Sequence, residues 1–431
     1  MNFTRDSALI VGTACILLAG LGIFTLFSTL SAPPHGDEPH YLLMTVSLIR
    51  DGDLNLADNY ARRDARAFMK EPLMPHWGLR ENGKLYSSHD PGLAVLLAPA
   101  FAAAGRPGAS LCMAVLGLMA LCVTMGLARR LGIPARSTAL GVLMAGLTVP
   151  YLMMSGAAFP EIPAALGLMA AVMLLFRGNC GRHFLTGGLC LGLIPWFHLK
   201  YAAISVLVFL MFPLWQRPRF RSAVMTAIPA AISAAGLLLF QRYLYGDPFY
   251  LLRIKSGGFQ WPFTGMAGLM LDREVGLLVF APVLIPGLMG LLFRWRRPRE
   301  MNALAVVFII FWILSGSWTD WHSGHCPPSR YLVPFIPALG LFTAWELHRV
   351  RDRSGRGLFA LLWGASLAQV AGVFLTIPEN AIVHYDGINR LWTRFLPWNL
   401  EYLAPSLLNP RPGTGLQAAA WLLLVTAAGL V

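Results

Sequence analysis

Two adjacent carboxylates, Asp37 and Glu38, stand in the run Ser31-Ala32-Pro33-Pro34-His35-Gly36-Asp37-Glu38-Pro39-His40-Tyr41, directly after the apolar segment 8–30. That segment is long enough to cross hydrocarbon as a helix, so the acid pair falls where lipid headgroups meet water. A carboxylate at that depth is costly and as a rule has a task. The chemistry open to it is proton abstraction from a hydroxyl, with the second acid binding the acceptor or a divalent cation. Adjacent residues point in different directions, so the pair is not a shared-proton dyad. The plainer reading is that either acid caps the helix beginning at Pro39.

The other polar groups that could serve such chemistry are scattered along the chain: His89 and Asp90, Glu161, His198 and Lys200, Asp272-Arg273-Glu274, and the run 318–330. Lys200 beside a turn is either a lysine snorkelling to the headgroups or a fixed cation for a lipid phosphate. Arg330, followed by Tyr331, carries the planar fork that suits phosphate. Trp318 and Trp321 fit an interfacial belt or a sugar-stacking wall. His322, His325 and Cys326 supply three metal-ligand types at a spacing that does not match a zinc motif cleanly; His35, Asp37 and His40 are a second candidate set. Asp272-Arg273-Glu274 reads as a self-satisfied surface ion network, and Glu161, in Pro160-Glu161-Ile162-Pro163, as a turn acid. Both gain a role only by facing the same cavity.

The elements that must position these groups follow from composition. The chain has 431 residues, 56% hydrophobic and only 13% charged, outside the range of soluble domains. The first apolar segment lacks a small-residue cleavage site and reads as a retained anchor. The net charge of +13 does not indicate nucleic acid. Arg5 and five connectors (129–136, 177–182, 217–221, 294–299, 349–356), taken with the adjoining Asp6, Glu300 and Glu346, hold 17 Lys/Arg against four acids, Asp352 being the fourth, and the remaining 17 basic and 17 acidic residues balance. The whole excess thus falls on one face, as expected of cytoplasmic loops. Six cysteines make no disulfide framework, since only Cys326 lies on the outer side.

Same-side arginine clusters are separated by an even number of crossings. This predicts an all-α polytopic membrane protein of about twelve helices over 1–431, with the N-terminus cytoplasmic. Outer turns are expected at 156–163 and 195–200, and outer loops at 31–91, 246–275, 316–330 and 378–414. Segment 93–104 is too short to span and is expected along the outer interface, before a returning helix at 109–128. Every polar group named above then meets on one face and can build a single cavity.

Three stretches resemble the GT-C superfamily of membrane glycosyltransferases, in its protein mannosyltransferase and aminoarabinose transferase branch. They are Asp37-Glu38 opening the first outer loop, Tyr86-Ser87-Ser88-His89-Asp90-Pro91-Gly92-Leu93, and the late loop with Trp318, Trp321, Gly324, Pro328, Arg330, Tyr331 and Leu332. His89-Asp90 replaces the commoner proline of the second stretch. The resemblance implies a GT-C-like fold, a polyprenyl-phosphate-linked sugar donor, and a glycan, lipid or protein acceptor. It implies Asp37 as catalytic base, with Lys200, Arg273 or Arg330 on the donor phosphate.

The expectation is an inverting glycosyltransferase of the bacterial inner membrane, its site facing the periplasm. Asp37 and Glu38 are the catalytic residues, and His89, Glu161, Lys200, Arg273, Trp321, Arg330 and Tyr331 bind substrate. No cofactor is assigned, a divalent metal being the one candidate. A transporter or lipid flippase would place ionisable groups near the bilayer midplane and show paired repeats, and neither pattern is visible. A scaffold subunit would leave the convergence of acids and cations unexplained.

Overall fold

The computed structural model describes residues 3–430 apart from 82, 178–179, 216–219, 255–257, 295 and 396–402. Arg217 and Arg219 of the basic connectors, Val431, and parts of the expected loops 246–275 and 378–414 lie outside the described residues.

Apolar runs punctuated by proline and glycine give a helical bundle in which few helices are uninterrupted. Five are long and apolar enough to cross a membrane: Arg5–Ser31, Gly92–Arg130, Phe220–Tyr245, Arg299–Gly316 and Arg353–Leu375. A sixth crossing is made if Ala135–Gly146 and Val149–Ser155, bent by 72° about Leu147 and Thr148, count as one. Five more apolar helices have only 10–17 residues. Length and composition among the described residues therefore do not reach the expected twelve. The arginine spacing counts returns of the chain to one face, and short or broken helices make some of those returns.

Helix Gly92–Arg130 leaves helical geometry at Ala104 and Gly105, the latter at φ +60, so its first turns and its long C-terminal part follow different axes. The segment 31–91 also departs from a purely helical reading. Strand β1 (Trp77–Glu81) pairs antiparallel with β2 (Lys84–Ser87), with Leu79 opposite Tyr86 and a bulge near Trp77. The stacked rings of Tyr245 and Tyr250 clasp this hairpin, donating to the carbonyls of Ser87 and Gly78 at 2.8 and 2.6 Å.

The helices are polarised end to end. Helix α1 (Phe3–Ser31) starts beside Arg5 and leads into Asp37. Helix Gly92–Arg130 follows His89 and ends on Arg129 and Arg130. Helix Glu161–Arg177 begins at Glu161, Gly181–Phe197 leads from Arg182 to Lys200, and Ile336–Arg349 runs from Arg330 and its short helix to Arg349. The groups with candidate chemistry thus lie at one end of these helices and the arginine clusters at the other. Between them Phe159, Phe176, Tyr151, Phe308 and Phe342 fill a continuous apolar core.

Candidate active site

Asp37 is placed by two helix ends. Pro33 and Pro34 lack the N–H groups that would continue α1. Gly36, at φ +53, passes so near the next loop that a Cβ would lie 2.4 Å from the His325 carbonyl oxygen. Helix α2 (Glu38–Arg50) then starts with Pro39 in its first turn, where a fixed φ is favourable. Asp37 occupies the N-cap, yet its carboxylate makes no capping bond. It faces Arg330 instead, with Oδ2 2.7 Å from Nη2, while Oδ1 lies 4.0 Å from His89 Nε2.

Arg330 joins this acid to a second one. Its Nε donates to Glu161 Oε1 at 2.9 Å, and its guanidinium lies 4.7 Å from the ring centre of Phe159. The same Glu161 oxygen accepts from Lys200 Nζ at 3.0 Å and from the Tyr201 hydroxyl at 2.9 Å. Lys200 rests over the rings of Tyr331 and Tyr201, at 4.2 and 4.8 Å, a cation–π setting that holds the ammonium in place. The chain Asp37–Arg330–Glu161–Lys200 is neutral overall. Glu161 and Arg330 are sealed, at 0% and 5% side-chain exposure, whereas Asp37 and Lys200 are each 22% exposed. A carboxylate and an ammonium are therefore the two open ends, with a buried fork between them. Burial alone would push the Asp37 carboxyl up, but the Arg330 guanidinium holds it well below the usual carboxylate range.

On its other side Asp37 meets a histidine group. His89 Nε2 is 3.3 Å from His76 Nδ1, and the His40 ring centre is 5.0 Å from that of His76 and 5.7 Å from that of His89. One ligand atom each from Asp37, His76 and His89 lies within 4.8 Å of the others. A tetrahedral zinc with bonds of about 2.0–2.1 Å sets its nitrogens roughly 3.3 Å apart, so the imidazole spacing and the mixed nitrogen–oxygen donors fit a divalent cation. The ligand set differs from both sets expected from sequence. His325 Nδ1 lies 3.0 Å from the Val383 carbonyl, and His322 sits 3.9 Å from Asp320 with its ring against Tyr385. His35 and His40 are held neutral by burial, their pKa lowered to about 4.

Other expected site residues have structural duties. Glu38 is 1% exposed and receives Arg106 Nε at 3.0 Å, while Arg106 Nη1 donates to the carbonyls of Thr29 and Ala32. It closes the end of α1 onto the bend at Gly105 and has no face left for an acceptor or a cation. Asp90 is fully buried and accepts the Leu199 N–H at 3.0 Å, and a Cβ on Gly92 would lie 2.5 Å from the Trp196 carbonyl oxygen. The stretch His89 to Gly92 thus docks the first loop against the turn that carries Lys200.

Asp272-Arg273-Glu274 is buried rather than a surface network. Asp272 accepts four main-chain N–H groups, from Glu274, Val275, Leu407 and Leu408, and Glu274 accepts those of His384 and Gly387. The Arg273 main chain is tied to Pro405 and Asn389 in the same knot. These acids pin the late loops by accepting their main-chain N–H groups. Trp321 is 4% exposed, with its ring against Gly268, and belongs to the core rather than to an open stacking wall.

Sequence reasoning passed over His76, Arg106 and Tyr201. Tyr201, next to Lys200, was legible as a neighbour. Nothing in their spacing marks His76, brought in by the hairpin, or Arg106, brought in by a helix bend.

No protein-family model and no curated protein matches the sequence. Among solved structures, the chain is similar to ArnT from Cupriavidus metallidurans in its apo state, with a TM-score of 0.58 at 16% identity over 100% of this chain and 77% of that one. The same enzyme bound to undecaprenyl phosphate superposes with a TM-score of 0.56 at 16% identity, over 99% and 77%. The oligosaccharyltransferase of Archaeoglobus fulgidus in complex with zinc and sulfate follows at 0.52 and 14% identity, over 86% of this chain and 52% of that one. At such identity the likeness concerns the backbone, and it extends over the full length of the bundle. This multi-pass membrane protein therefore has the fold of the GT-C glycosyltransferases.

Proposed function

We propose that the protein moves a sugar from a polyprenyl-phosphate carrier to an acceptor hydroxyl at the outer face of the bacterial inner membrane, with inversion at the anomeric carbon. The observation that carries this reading is the chain Asp37–Arg330–Glu161–Lys200. It lies at the helix ends opposite the arginine clusters, with a base at one open end and the cations Arg330 and Lys200 joined through Glu161. The undecaprenyl-phosphate complex of a protein of the same fold supports a lipid-linked donor.

The acceptor oxygen bonds to the anomeric carbon as the bond from that carbon to the phosphate oxygen breaks. The phosphate departs with the bonding electron pair, and the hydroxyl proton passes to Asp37. Phosphate leaves readily, so the site needs a base and fixed positive charge more than a general acid. Lys200 and Arg330 supply that charge. Arg330 turning toward the donor phosphate loosens its hold on Asp37, whose burial then raises its basicity. Donor binding in this way activates the base. A divalent cation held by Asp37, His76 and His89 would polarise the acceptor hydroxyl. The grouping of ionisable residues at helix ends favours group transfer over passage through the bilayer.

The test is transfer from a radiolabelled polyprenyl-phosphate sugar in proteoliposomes, paired with mass spectrometry of envelope glycans from a deletion strain. Asp37→Asn is expected to abolish transfer while the protein still assembles. Full turnover in that variant rules the proposal out.

A further inference from the structure

A cavity lies away from the Asp37 cluster. It measures about 670 Å³ and opens at the other end of the bundle, bordered by Arg294, Trp345, Glu346, Arg349, Arg351 and Leu358. That volume is within the range of small-ligand sites.

Its charge is arranged for an anion. Arg349 and Arg351 are exposed at the rim, and Arg294, 45% exposed, gives its Nε to Glu346 Oε2 at 2.8 Å. The second acid, Asp352, is committed to the start of helix Arg353–Leu375, where it accepts the Gly355 N–H at 2.9 Å and the Ser354 hydroxyl. Inside the rim two polar atoms are buried with no partner among the described residues, Trp345 Nε1 and Glu346 Oε1. A buried donor and a buried acceptor left without partners are each costly unless something fills them. A phosphate oxygen takes the indole N–H, and a hydroxyl donates to the glutamate. Leu131, Pro286, Leu358 and Phe359 add an apolar wall suited to the start of an acyl chain.

We infer that this cavity is a binding site for the hydroxyl-bearing phosphate headgroup of an anionic lipid. It is separate from the transfer chemistry, being built at the opposite ends of the helices, so it stands or falls independently of that reading.

The full-length protein in nanodiscs of equal parts phosphatidylglycerol and phosphatidylcholine, analysed by native mass spectrometry, is expected to keep one phosphatidylglycerol per chain. Trp345→Phe, which removes only the N–H, and Arg351→Gln, at an exposed position, are each expected to weaken that retention roughly three- to tenfold, the loss of about one hydrogen bond. Displacement of the lipid by inorganic phosphate, with the same sensitivity to both variants, would transfer the site to a soluble phosphate and overturn the lipid source. Equal retention of phosphatidylcholine, or retention unchanged in both variants, would overturn the proposal outright.

Discussion

Asp37 and Glu38 are neighbours in sequence and each meets an arginine, yet the two pairs differ in kind. Glu38 and Arg106 are closed on every side: the guanidinium binds both carboxylate oxygens and two main-chain carbonyls, and neither side chain exceeds 9% exposure. Asp37 and Arg330 form an open pair, with the acid 22% exposed and the arginine shared with Glu161. A saturated pair can only hold parts together. A pair with one partner held in common and one face in solvent can exchange partners, and that is what a reacting site requires.

The largest expected effect on turnover comes from breaking the open pair. Asp37→Asn should lower transfer by roughly two to four orders of magnitude, the share a positioned base contributes. Its melting temperature should stay close to wild type, because Arg330 keeps Glu161; a large drop would place Asp37 with the structural pair. The closed pair should behave in the opposite way. Arg106→Met leaves Glu38 buried without its cation and should cost about 3–5 kcal/mol in unfolding free energy, read by denaturation in detergent. Arg330→Gln sharpens the contrast through pH. With the guanidinium gone, burial dominates at Asp37 and its pKa rises, so the acid limb of the rate profile should move to higher pH.

A smaller effect tests the histidine side. His40 is buried neutral with its pKa lowered to about 4 from 6.5. Its neutral form stabilises the fold above 6.5, and that stability is lost as pH falls toward 4. The melting temperature should decline across that window, and less so in His40→Gln. Smallest in stability terms is the metal: about one equivalent of zinc or manganese per wild-type chain by elemental analysis is the expected outcome, and none in His76→Ala.

Much of this arrangement was legible from residues alone. Proline pairs and arginine spacing marked the turn bearing Glu161 and the turn bearing Lys200, because both are local signals at helix ends. The one-sided charge excess pointed Asp37, Lys200 and Arg330 to a common face. What stayed hidden depends on tertiary approach. The burial of Glu38 follows from Arg106, 68 residues away, and the role of Asp272 follows from main-chain N–H groups of residues 407 and 408. His76 depends on strand register. The crossing number was obscured because interrupted helices resemble short ones in composition.

The segment from His89 to Gly92 carries one more implication. His89 borders the imidazole flank of Asp37, Asp90 holds the amide next to Lys200, and Gly92 abuts the Trp196 backbone without room for a methyl group. Four consecutive residues therefore span both flanks of the chain from Asp37 to Lys200 like a strut. An inserted or deleted residue there would throw the imidazole flank and the lysine flank out of register together, so neither could be altered at this stretch without disturbing the other.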